Sequence, residues 1–422
     1  MKAGDEPDEQ AIADAYVYLL ARMLVIRQEG IDASEEGFAY NKVKYNPLGS
    51  AEFVNPNLDV AYLECWIAVD DDSVVLLTVP EIQDRYYTAQ ILDEWGEVII
   101  NINERRTPSR SHGTFALTRP GSSPSIPEGA TRIDLHGSKA KLLARVELKD
   151  DPDEALRLQR EFTVESLGEV SVAPPPSIPD FENASLLGVE IFETVDEVLE
   201  SAIDVAPGAA EAQVGVRSVA SFVAASEDNR SEVEALLRDK IVPGFLGSIF
   251  TETTPLVNGW VGGIETGNYG SDYLKRTVLD LAGIWANTSA EVVYFASTME
   301  ADGTPLDGSS SYLLHFPGEK LPEAVVDGYW SIILVGLPDL RVVPNEMERY
   351  NFNSHSDLAM EPDGSLKIGI GPTPVDGVPE SNWLPSPRDK SYSLTIRLYV
   401  PRESVFDRGW VPPAVVRISR SS

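Results

Sequence analysis

The sequence predicts a mainly β protein with helical insertions, an α+β fold made of two antiparallel β-sandwich or jelly-roll-like domains. Short β-type segments cluster in two blocks, and helical periodicity fills the stretch between them. A doubly wound parallel sheet would require a regular β-α-β alternation, which is missing here. The 422 residues also exceed one ordinary domain, so two or three units are expected.

The first predicted element is an N-terminal amphipathic helix within residues 1–30. Its apolar side chains recur at the spacing of one helical face over residues 9–28, and Gly30 is expected to end it. The residues on that face are Ile12, Tyr16, Leu19, Leu20 and Met23.

Residues 31–150 are predicted to form the first β-sandwich domain. Short strand-like segments start at intervals of about 8–12 residues, which is typical of antiparallel sandwiches and barrels. The predicted strands are Ala61–Val69, Val74–Val79, Arg85–Leu92 and Glu97–Ile102.

Residues 151–285 are predicted to be a largely helical connecting region. The first helix opens with a proline and acidic residues, as expected at a helix N-terminus. The predicted helices are Asp153–Leu167, Glu190–Val205, Ala209–Ala225, Ser231–Ile241 and Ser271–Trp285.

Residues 286–422 return to β-type patterns and are predicted to form the second sandwich domain. Asp302-Gly303 and Asp363-Gly364 are hairpin-turn dipeptides, because both residue types tolerate a positive φ. The predicted strands are Glu291–Ser297, Ser311–His315, Leu366–Ile370 and Ser391–Val400.

The net charge of −33 limits the classes of partner. A polyanion of this size is repelled by nucleic acid and by anionic membrane surfaces, so neither is an expected partner. Only 11 of the 34 basic residues are lysines, and this acidic, lysine-poor composition is expected either of a salt-adapted surface or of an ordinary acidic protein. No apolar leader follows Met1, which predicts a cytoplasmic protein as written, or an exported, periplasmic one if a leader has been removed.

Two successions of residues resemble a known pair of families. The first begins with Asn55-Pro56-Asn57-Leu58-Asp59-Val60-Ala61-Tyr62 and continues with Arg85-Tyr86-Tyr87, Leu92-Asp93 and Trp95. It resembles domain-of-unknown-function family 1254, although Leu58 and Val60 depart from the family's usual Asn and Thr. The second includes Arg349-Tyr350, Asn382-Trp383-Leu384-Pro385, Arg397 and Trp410, and is similar to family 1214. The resemblance implies jelly-roll sandwiches, often exported, and no particular reaction.

These motifs supply the candidate ligand-binding residues. Asp59 is expected either to hydrogen-bond its own turn or to pair with Arg85 in a polar pocket, and Asp93 is another partner for Arg85. Trp383 is expected either to stack on a sugar or aromatic ligand or to plug a loop through its indole nitrogen. The full set is Asn57, Asp59, Tyr62, Arg85, Tyr86, Asp93, Arg349, Tyr350, Asn382, Trp383 and Arg397.

No cofactor or metal site is predicted. The four histidines have no ligand spacing, and Cys65 is the only cysteine and is expected to be a buried structural thiol. Oxygen ligands for calcium surround one hairpin at Glu300, Asp302 and Asp307, but turn chemistry is the favoured explanation of the Asp-Gly pair there. The sequence contains no nucleophile elbow, dinucleotide fingerprint or P-loop.

Two functions therefore remain open, and catalytic residues are not identified. The leading hypothesis is a ligand-binding or structural, assembly-forming sandwich protein, with a small molecule or carbohydrate as partner and a homo-oligomer as a predicted assembly. The alternative is an enzyme that acts on a carbohydrate or small organic substrate at the domain junction. A pocket lined by Asp59, Arg85, Arg349 and Trp383 would favour the enzyme.

Overall fold

The computed structural model describes residues 6–49, 56–248, 256–338 and 340–418. Asn55, the first residue of the family 1254 motif, lies outside the described residues. The fold is α+β, with four sheets that are mostly antiparallel and that form two sheet-rich domains.

The first sandwich consists of sheet I and sheet II. Sheet I has the order β1-β2-β8-β4-β5 and sheet II the order β7-β6-β3-β9. The strands are β1 (Lys44–Tyr45), β2 (Val60–Ala68), β3 (Val74–Val79), β4 (Tyr87–Leu92), β5 (Val98–Ile102), β6 (Gly113–Thr118), β7 (Thr131–Asp134), β8 (Lys139–Glu147) and β9 (Thr163–Leu167).

Period-2 alternation builds the core of this sandwich. Leu63, Cys65 and Ile67 of β2 point inward and pack with Val75 and Leu77 of β3, so the two sheets share one buried cluster. The prediction that Cys65 is a buried thiol is confirmed, because its side chain lies inside this cluster. The outward-facing residues of β2 and β8 are therefore left to contact something other than the sandwich core.

Most of the helices form a third body, whereas the helices over residues 152–161 and 403–406 pack into the cores of the first and second sandwich. The helices are α1 (Glu9–Ala33), α2 (Pro152–Glu161), α3 (Val195–Glu200), α4 (Ala209–Ala225), α5 (Glu227–Leu236), α6 (Val242–Ser248), α7 (Tyr273–Gly283) and α8 (Glu403–Phe406). Helix α1 packs against α4 and α7, and its apolar face shares one buried cluster with them. The N-terminal helix therefore joins the helices that follow the first sandwich.

Several predicted helix boundaries are wrong. Helix α1 continues past Gly30 and ends at Ala33, because the amide of Ser34 still donates to the carbonyl of Gly30. The predicted helix over residues 153–167 ends at Glu161, and Thr163–Leu167 instead pairs with β3 as strand β9. The predicted helix over residues 190–205 is broken into a 3-10 turn, Val189–Phe192, and the short α3.

The second sandwich consists of sheet III and sheet IV. Sheet III has the order β10-β11-β12-β18-β14-β15 and sheet IV the order β17-β16-β13-β19. The strands are β10 (Leu256–Val257), β11 (Trp260–Gly262), β12 (Val292–Ser297), β13 (Ser311–Phe316), β14 (Trp330–Gly336), β15 (Asn351–Asn353), β16 (Leu366–Gly371), β17 (Trp383–Pro385), β18 (Tyr392–Tyr399) and β19 (Val415–Ile418). Inward residues such as Leu394 and Ile396 pack against Tyr312 and Leu314 of β13.

The acidic composition leads to a prediction about salt. Since 67 acidic residues oppose 34 basic ones, screening of like charges is expected to stabilise the folded state. The thermal unfolding midpoint should rise when sodium chloride is increased from about 0.05 M to about 2 M. Differential scanning calorimetry at fixed pH measures this, with sucrose as a non-ionic control. A midpoint that stays constant or falls in salt would contradict salt adaptation.

Candidate ligand site at the junction of the two sandwiches

The outer faces of sheets I and III lie against each other, and this contact brings several of the candidate residues together. Val60 and Tyr86 from the first sandwich form a buried cluster with Val292, Tyr329 and Tyr399 from the second. Tyr329 and Tyr399 are stacked with ring centroids 4.0 Å apart. The apolar part of the junction is therefore largely aromatic.

Asp59 connects the two sandwiches. Its Oδ1 accepts hydrogen bonds from Asn351 Nδ2 at 2.7 Å and from Asn353 Nδ2 at 2.9 Å, both on β15. Burial raises the pKa of Asp59, and the amides of β15 together with nearby Ser331 and Arg397 only partly oppose that rise. Oδ2 has no hydrogen bond of normal geometry. This carboxyl group thus holds the domains together and binds protons more tightly than an exposed aspartate.

Asn57 makes a second link across the junction. Its Nδ2 donates to Tyr399 Oη at 2.5 Å, and its Oδ1 accepts from the amide of Asp59 at 2.9 Å. The turn chemistry expected for this segment is therefore present, and the same turn also contacts the second sandwich.

Further polar pairs surround the aromatic cluster. Glu147 of β8 pairs with His355 at 2.7 Å, and Arg105 pairs with Glu291 at 2.8 Å. The guanidinium of Arg105 also lies over the ring of Tyr86, 4.7 Å from its centroid. The two ion pairs each join one sandwich to the other, so the junction is a specific polar interface.

Arg145 occupies the middle of the outer face of sheet I. It lies opposite Tyr62 on β2 and Thr88 on β4. Its Nη1 donates to Gln90 Oε1 at 2.6 Å, and its guanidinium lies 5.3 Å from the ring centroid of Tyr62. Only 6% of Arg145 is exposed, whereas Tyr62 is half-buried.

The facing sheet adds a second arginine close to this position. Arg397 of β18 is buried and lies opposite Tyr294 of β12 and Ser331 of β14. Tyr294 is half-buried and lies close enough to both Arg145 and Arg397 for their charges to lower its pKa, although burial raises that pKa overall.

A cavity of about 270 Å³ opens two residues further along the same face of sheet I. Its walls come from the end of α1, the segment after it, β2 and β8. The lining residues that carry polar or aromatic groups include Glu35, Phe38, Lys44, Glu64, Trp66 and Lys141.

The floor of the cavity is a network of paired charges. Lys141 Nζ lies 2.8 Å from Asp32 Oδ2 and 2.7 Å from Glu64 Oε2, and 5.3 Å from the ring centroid of Trp66. Lys44 lies 3.6 Å from the same Glu64. Although burial alone would raise the pKa of Glu64, Lys141 and Lys44 together with the amide of Asn46 hold it below its ordinary value. Both signs of charge are thus available to a ligand.

These cavity residues were missed in the analysis of the sequence. Glu64 and Trp66 alternate with buried apolar residues on β2, and Lys139, Lys141 and Arg145 do the same on β8. Polar and charged residues on the outer face of a sheet are ordinary, because that face usually contacts solvent. The charges on β2 and β8 therefore do not indicate that this outer face is buried. One feature of the sequence could have indicated the cavity. It is the combination of Glu and Trp on one face of β2 with three cations on the adjacent strand β8.

Arg85 forms neither of the two predicted ion pairs. Its Nη1 donates to backbone carbonyls, those of Glu147 and of Leu148, the latter at 2.7 Å. Asp93 instead accepts from the amides of Trp95 and Glu97 and pairs with His136 at 2.7 Å. Both predicted pairings are wrong, because strand β4 begins only at Tyr87 and the Arg85 side chain bends back to the end of β8.

The candidates near the end of the chain have local structural contacts. Asn382 Oδ1 accepts a hydrogen bond from the amide of Ala359, and Asn382 Nδ2 donates to the carbonyl of Ala359. Trp383 Nε1 donates to the carbonyl of Gly371 at 2.9 Å. Arg349 Nη1 donates to the carbonyls of Glu380 and Trp383. The half-buried Tyr350 follows Arg349, and its carbonyl accepts from the amide of Leu334. These contacts are those of a loop plug and do not reach Asp59.

The hairpin considered for calcium also uses its oxygens locally. Asp302 accepts from the amide of Thr304, Asp307 from that of Ser309, and Glu300 pairs with Arg417. Within the described ranges, no group of three or more His, Cys, Asp or Glu side chains is arranged to hold a metal ion. In the same part of the chain, no helix combines the length and apolar character needed to span a bilayer.

Two sandwiches that meet through polar sheet faces, with a helical body alongside, define an α+β protein of two sheet-rich domains. Residues 38–166 match the family model described as Protein of unknown function (DUF1254), and residues 291–403 match Protein of unknown function (DUF1214). The chain therefore carries these two families in tandem, DUF1254 toward its N-terminus and DUF1214 toward its C-terminus.

Two solved bacterial structures superpose on this chain, one of them with a similar fold. The VPA0106 protein from Vibrio parahaemolyticus superposes with a TM-score of 0.69 and 18% identity, over 97% of this chain and 100% of that one. A putative uncharacterized protein from Burkholderia cenocepacia superposes with a TM-score of 0.47 and 11% identity, over 99% of this chain and 92% of that one. None of the curated proteins matches this chain.

Proposed function

We propose that this protein binds a small organic molecule in the cavity on the outer face of sheet I. The observation that carries the proposal is the cavity itself, about 270 Å³ in volume and lined by Trp66, Lys141 and Glu64. Small-molecule sites are concave, of roughly 300–1,000 Å³, and combine aromatic surface with a few polar groups. The volume of about 270 Å³ is just below that range, so the ligand is expected to be small.

The surroundings of the cavity support a rigid binding site. Lys141 is held by Asp32 of α1 and Glu64 of β2, and Trp66 Nε1 donates to the same Asp32 at 2.8 Å. The helical body and the first sandwich therefore position one set of polar groups together. Groups held in place before a ligand arrives lose less conformational entropy on binding.

Catalysis at the junction has weaker support. The raised pKa of Asp59 is the one feature that fits an acid–base residue. However, Asp59 is only 3% exposed and is not part of the cavity lining, and Arg85, Arg349 and Trp383 are engaged by backbone carbonyls elsewhere. Binding without reaction is therefore the better-supported function.

Filling the cavity should abolish binding. Ala39 lines the cavity and is exposed, so Ala39→Trp is expected to occupy the ligand's space without disturbing the core. The control is Ala224→Trp on the exposed side of α4. Amino acids, monosaccharides, carboxylic acids and amides would be screened by thermal unfolding, since a ligand at 100 times its Kd stabilises by about 2.7 kcal/mol.

Isothermal titration calorimetry would then measure the affinity of any compound that raises the midpoint. We expect binding to wild type and to Ala224→Trp and no binding to Ala39→Trp. Equal affinity for all three proteins, or no response to any compound in the panel, would rule out this cavity as the ligand site.

A further inference from the structure

We infer that the ligand is an organic acid with an apolar body, and that Arg145 receives its carboxylate. This inference rests on the proposed function, because it places the charged end of that ligand beside the cavity.

Arg145 differs from other buried cations of this protein in having no carboxylate partner. Arg276 lies 3.0 Å from Asp204, Lys139 lies 2.6 Å from Glu29, and Lys141 has two carboxylates. Among the described residues, no carboxylate lies within 4.0 Å of Arg145, whose contacts are Gln90 and tyrosine. A guanidinium remains charged at all accessible pH values, and a buried charge without a partner costs several kcal/mol.

Arg145 also lies close to the cavity along the paired strands β2 and β8. Tyr62 and Arg145 face each other across β2 and β8, and Glu64 and Leu143 form the next outward-facing pair. Successive outward residues on a strand are about 7 Å apart, so the charge lies one pair of residues beyond Glu64 of the cavity wall. Tyr62 and Tyr294 are half-buried, which leaves this part of the junction in contact with solvent.

The surface between Arg145 and the cavity defines the rest of the ligand. Leu143 lies between Arg145 and Lys141 on the same face of β8 and is half-buried. An apolar chain or ring would pack on Leu143 and reach Trp66, while its carboxylate would form a charge-assisted hydrogen-bonded pair with Arg145. Arg397 on the facing sheet adds positive charge beside Tyr294. A neutral or cationic ligand would leave the charge of Arg145 unbalanced.

Matched acids and amides test the inference. Octanoate and phenylacetate would be titrated by calorimetry against octanamide and phenylacetamide, which have the same shape without the charge. We expect the acids to bind at least about tenfold more tightly than the amides, since a buried charge pair contributes about 1.4 kcal/mol or more.

Arg145→Gln should lose that discrimination, whereas Arg106→Gln, at an exposed arginine, should keep it. In the absence of ligand, Arg145→Gln is expected to unfold at the same temperature as wild type or higher, because it removes an uncompensated buried charge. A purely structural arginine would instead lower the midpoint and leave the preference for acids unchanged.

The outcomes separate this inference from the proposed function. Amides that bind as well as acids, with affinity unchanged in Arg145→Gln but lost in Ala39→Trp, would overturn the carboxylate assignment and leave the cavity as a binding site. Acids whose binding survives Ala39→Trp but not Arg145→Gln would confirm the role of Arg145 and move the site away from the cavity. Acids that fail to bind the wild-type protein would overturn the carboxylate assignment.

Discussion

Replacing Arg276 with alanine is expected to lower the free energy of unfolding by about 3–5 kcal/mol, the cost of removing one partner of a buried ion pair. Arg276 of α7 is fully buried and lies 3.0 Å from Asp204, whose side chain is 1% exposed. Its guanidinium is surrounded by three rings, those of Tyr18, Trp95 and Tyr273, with centroids 4.7–5.3 Å away. Alanine would remove the cation and leave the Asp204 carboxylate buried without it.

The contact joins α1, α7 and the loop after β4, so its loss should loosen the helical body from the first sandwich. Urea unfolding at neutral pH measures the effect, and hydrogen exchange of α1 and α7 amides locates it. Arg217→Ala is the matched control, because its partner Asp196 is 71% exposed and such surface pairs contribute about 0–1 kcal/mol.

A double variant distinguishes the lost charge pair from lost packing. Arg276→Met with Asp204→Asn removes both charges and keeps much of the volume, so it should be markedly more stable than Arg276→Ala. If Arg276→Ala and Arg217→Ala cost the same, the buried ion pair is not a stabilising contact of the helical body.

The second large effect is expected from pH. Burial raises the pKa of Glu94 and that of Glu97 to about 7, and it raises the pKa of Asp280 well above its ordinary value despite the opposing charge of Arg276. Both Asp280 oxygens lack a hydrogen-bond partner within the described structure, and Oδ1 lies close against Gly96. The hydrogen bond to Asp93 likewise raises the pKa of His136.

These shifts fix the direction of the pH dependence. The folded state holds protons that the unfolded chain has already released, so the stability they contribute is fully present below the unfolded pKa of about 4.5 and is lost as pH rises through about 7. A shift of this size corresponds to about 3 kcal/mol at most for each glutamate. The free energy of unfolding should therefore fall between about pH 5.5 and pH 8.

Asp280→Asn tests this directly, because an amide has nearly the same shape and cannot ionise. It should reduce the slope of stability against pH by up to about 1.4 kcal/mol per pH unit and raise stability at pH 8. Urea unfolding at several pH values and constant ionic strength measures both quantities. The exposed Asp150→Asn should leave the slope unchanged. A wild-type stability that increases from pH 5.5 to pH 8 would show that these carboxyl groups are already ionised in the folded protein.

Local patterns in the sequence were enough to find most elements. Val74–Val79 and Ala209–Ala225 were predicted to the residue, because alternation of apolar residues marks a half-buried strand and a 3.6-residue period marks an amphipathic helix. Strand β9 was missed because it follows α2 after a single residue, Phe162, and its pairing partner β3 lies far away in the sequence. The pairing of strands that are far apart in the sequence cannot be predicted from the pattern of a few neighbouring residues.

For the candidate site as well, the sequence identified the residues but not their distant partners. The motif around Asn57 and Asp59 was identified from the sequence, but its contacts with Asn351 and Tyr399 join residues about 300 positions apart. Asn382 and Trp383 were also identified, and their side chains bond backbone within their own sandwich. A motif indicates that a residue type is important at a position. It does not indicate whether that residue closes a loop or joins two domains.

The sequence by itself determined the α+β class, the two sandwiches, the acidic surface and the buried Cys65, because period, turn residues and charge are properties of neighbouring positions. Only the tertiary structure decided that the outer face of sheet I is covered, that a cavity remains beside Trp66, and that Arg145 lies buried without a carboxylate. The physical reason is that the free energy of a charged side chain depends on its surroundings. For the outward-facing residues of β2 and β8, those surroundings are supplied by α1 and by a sheet more than 100 residues further along the chain.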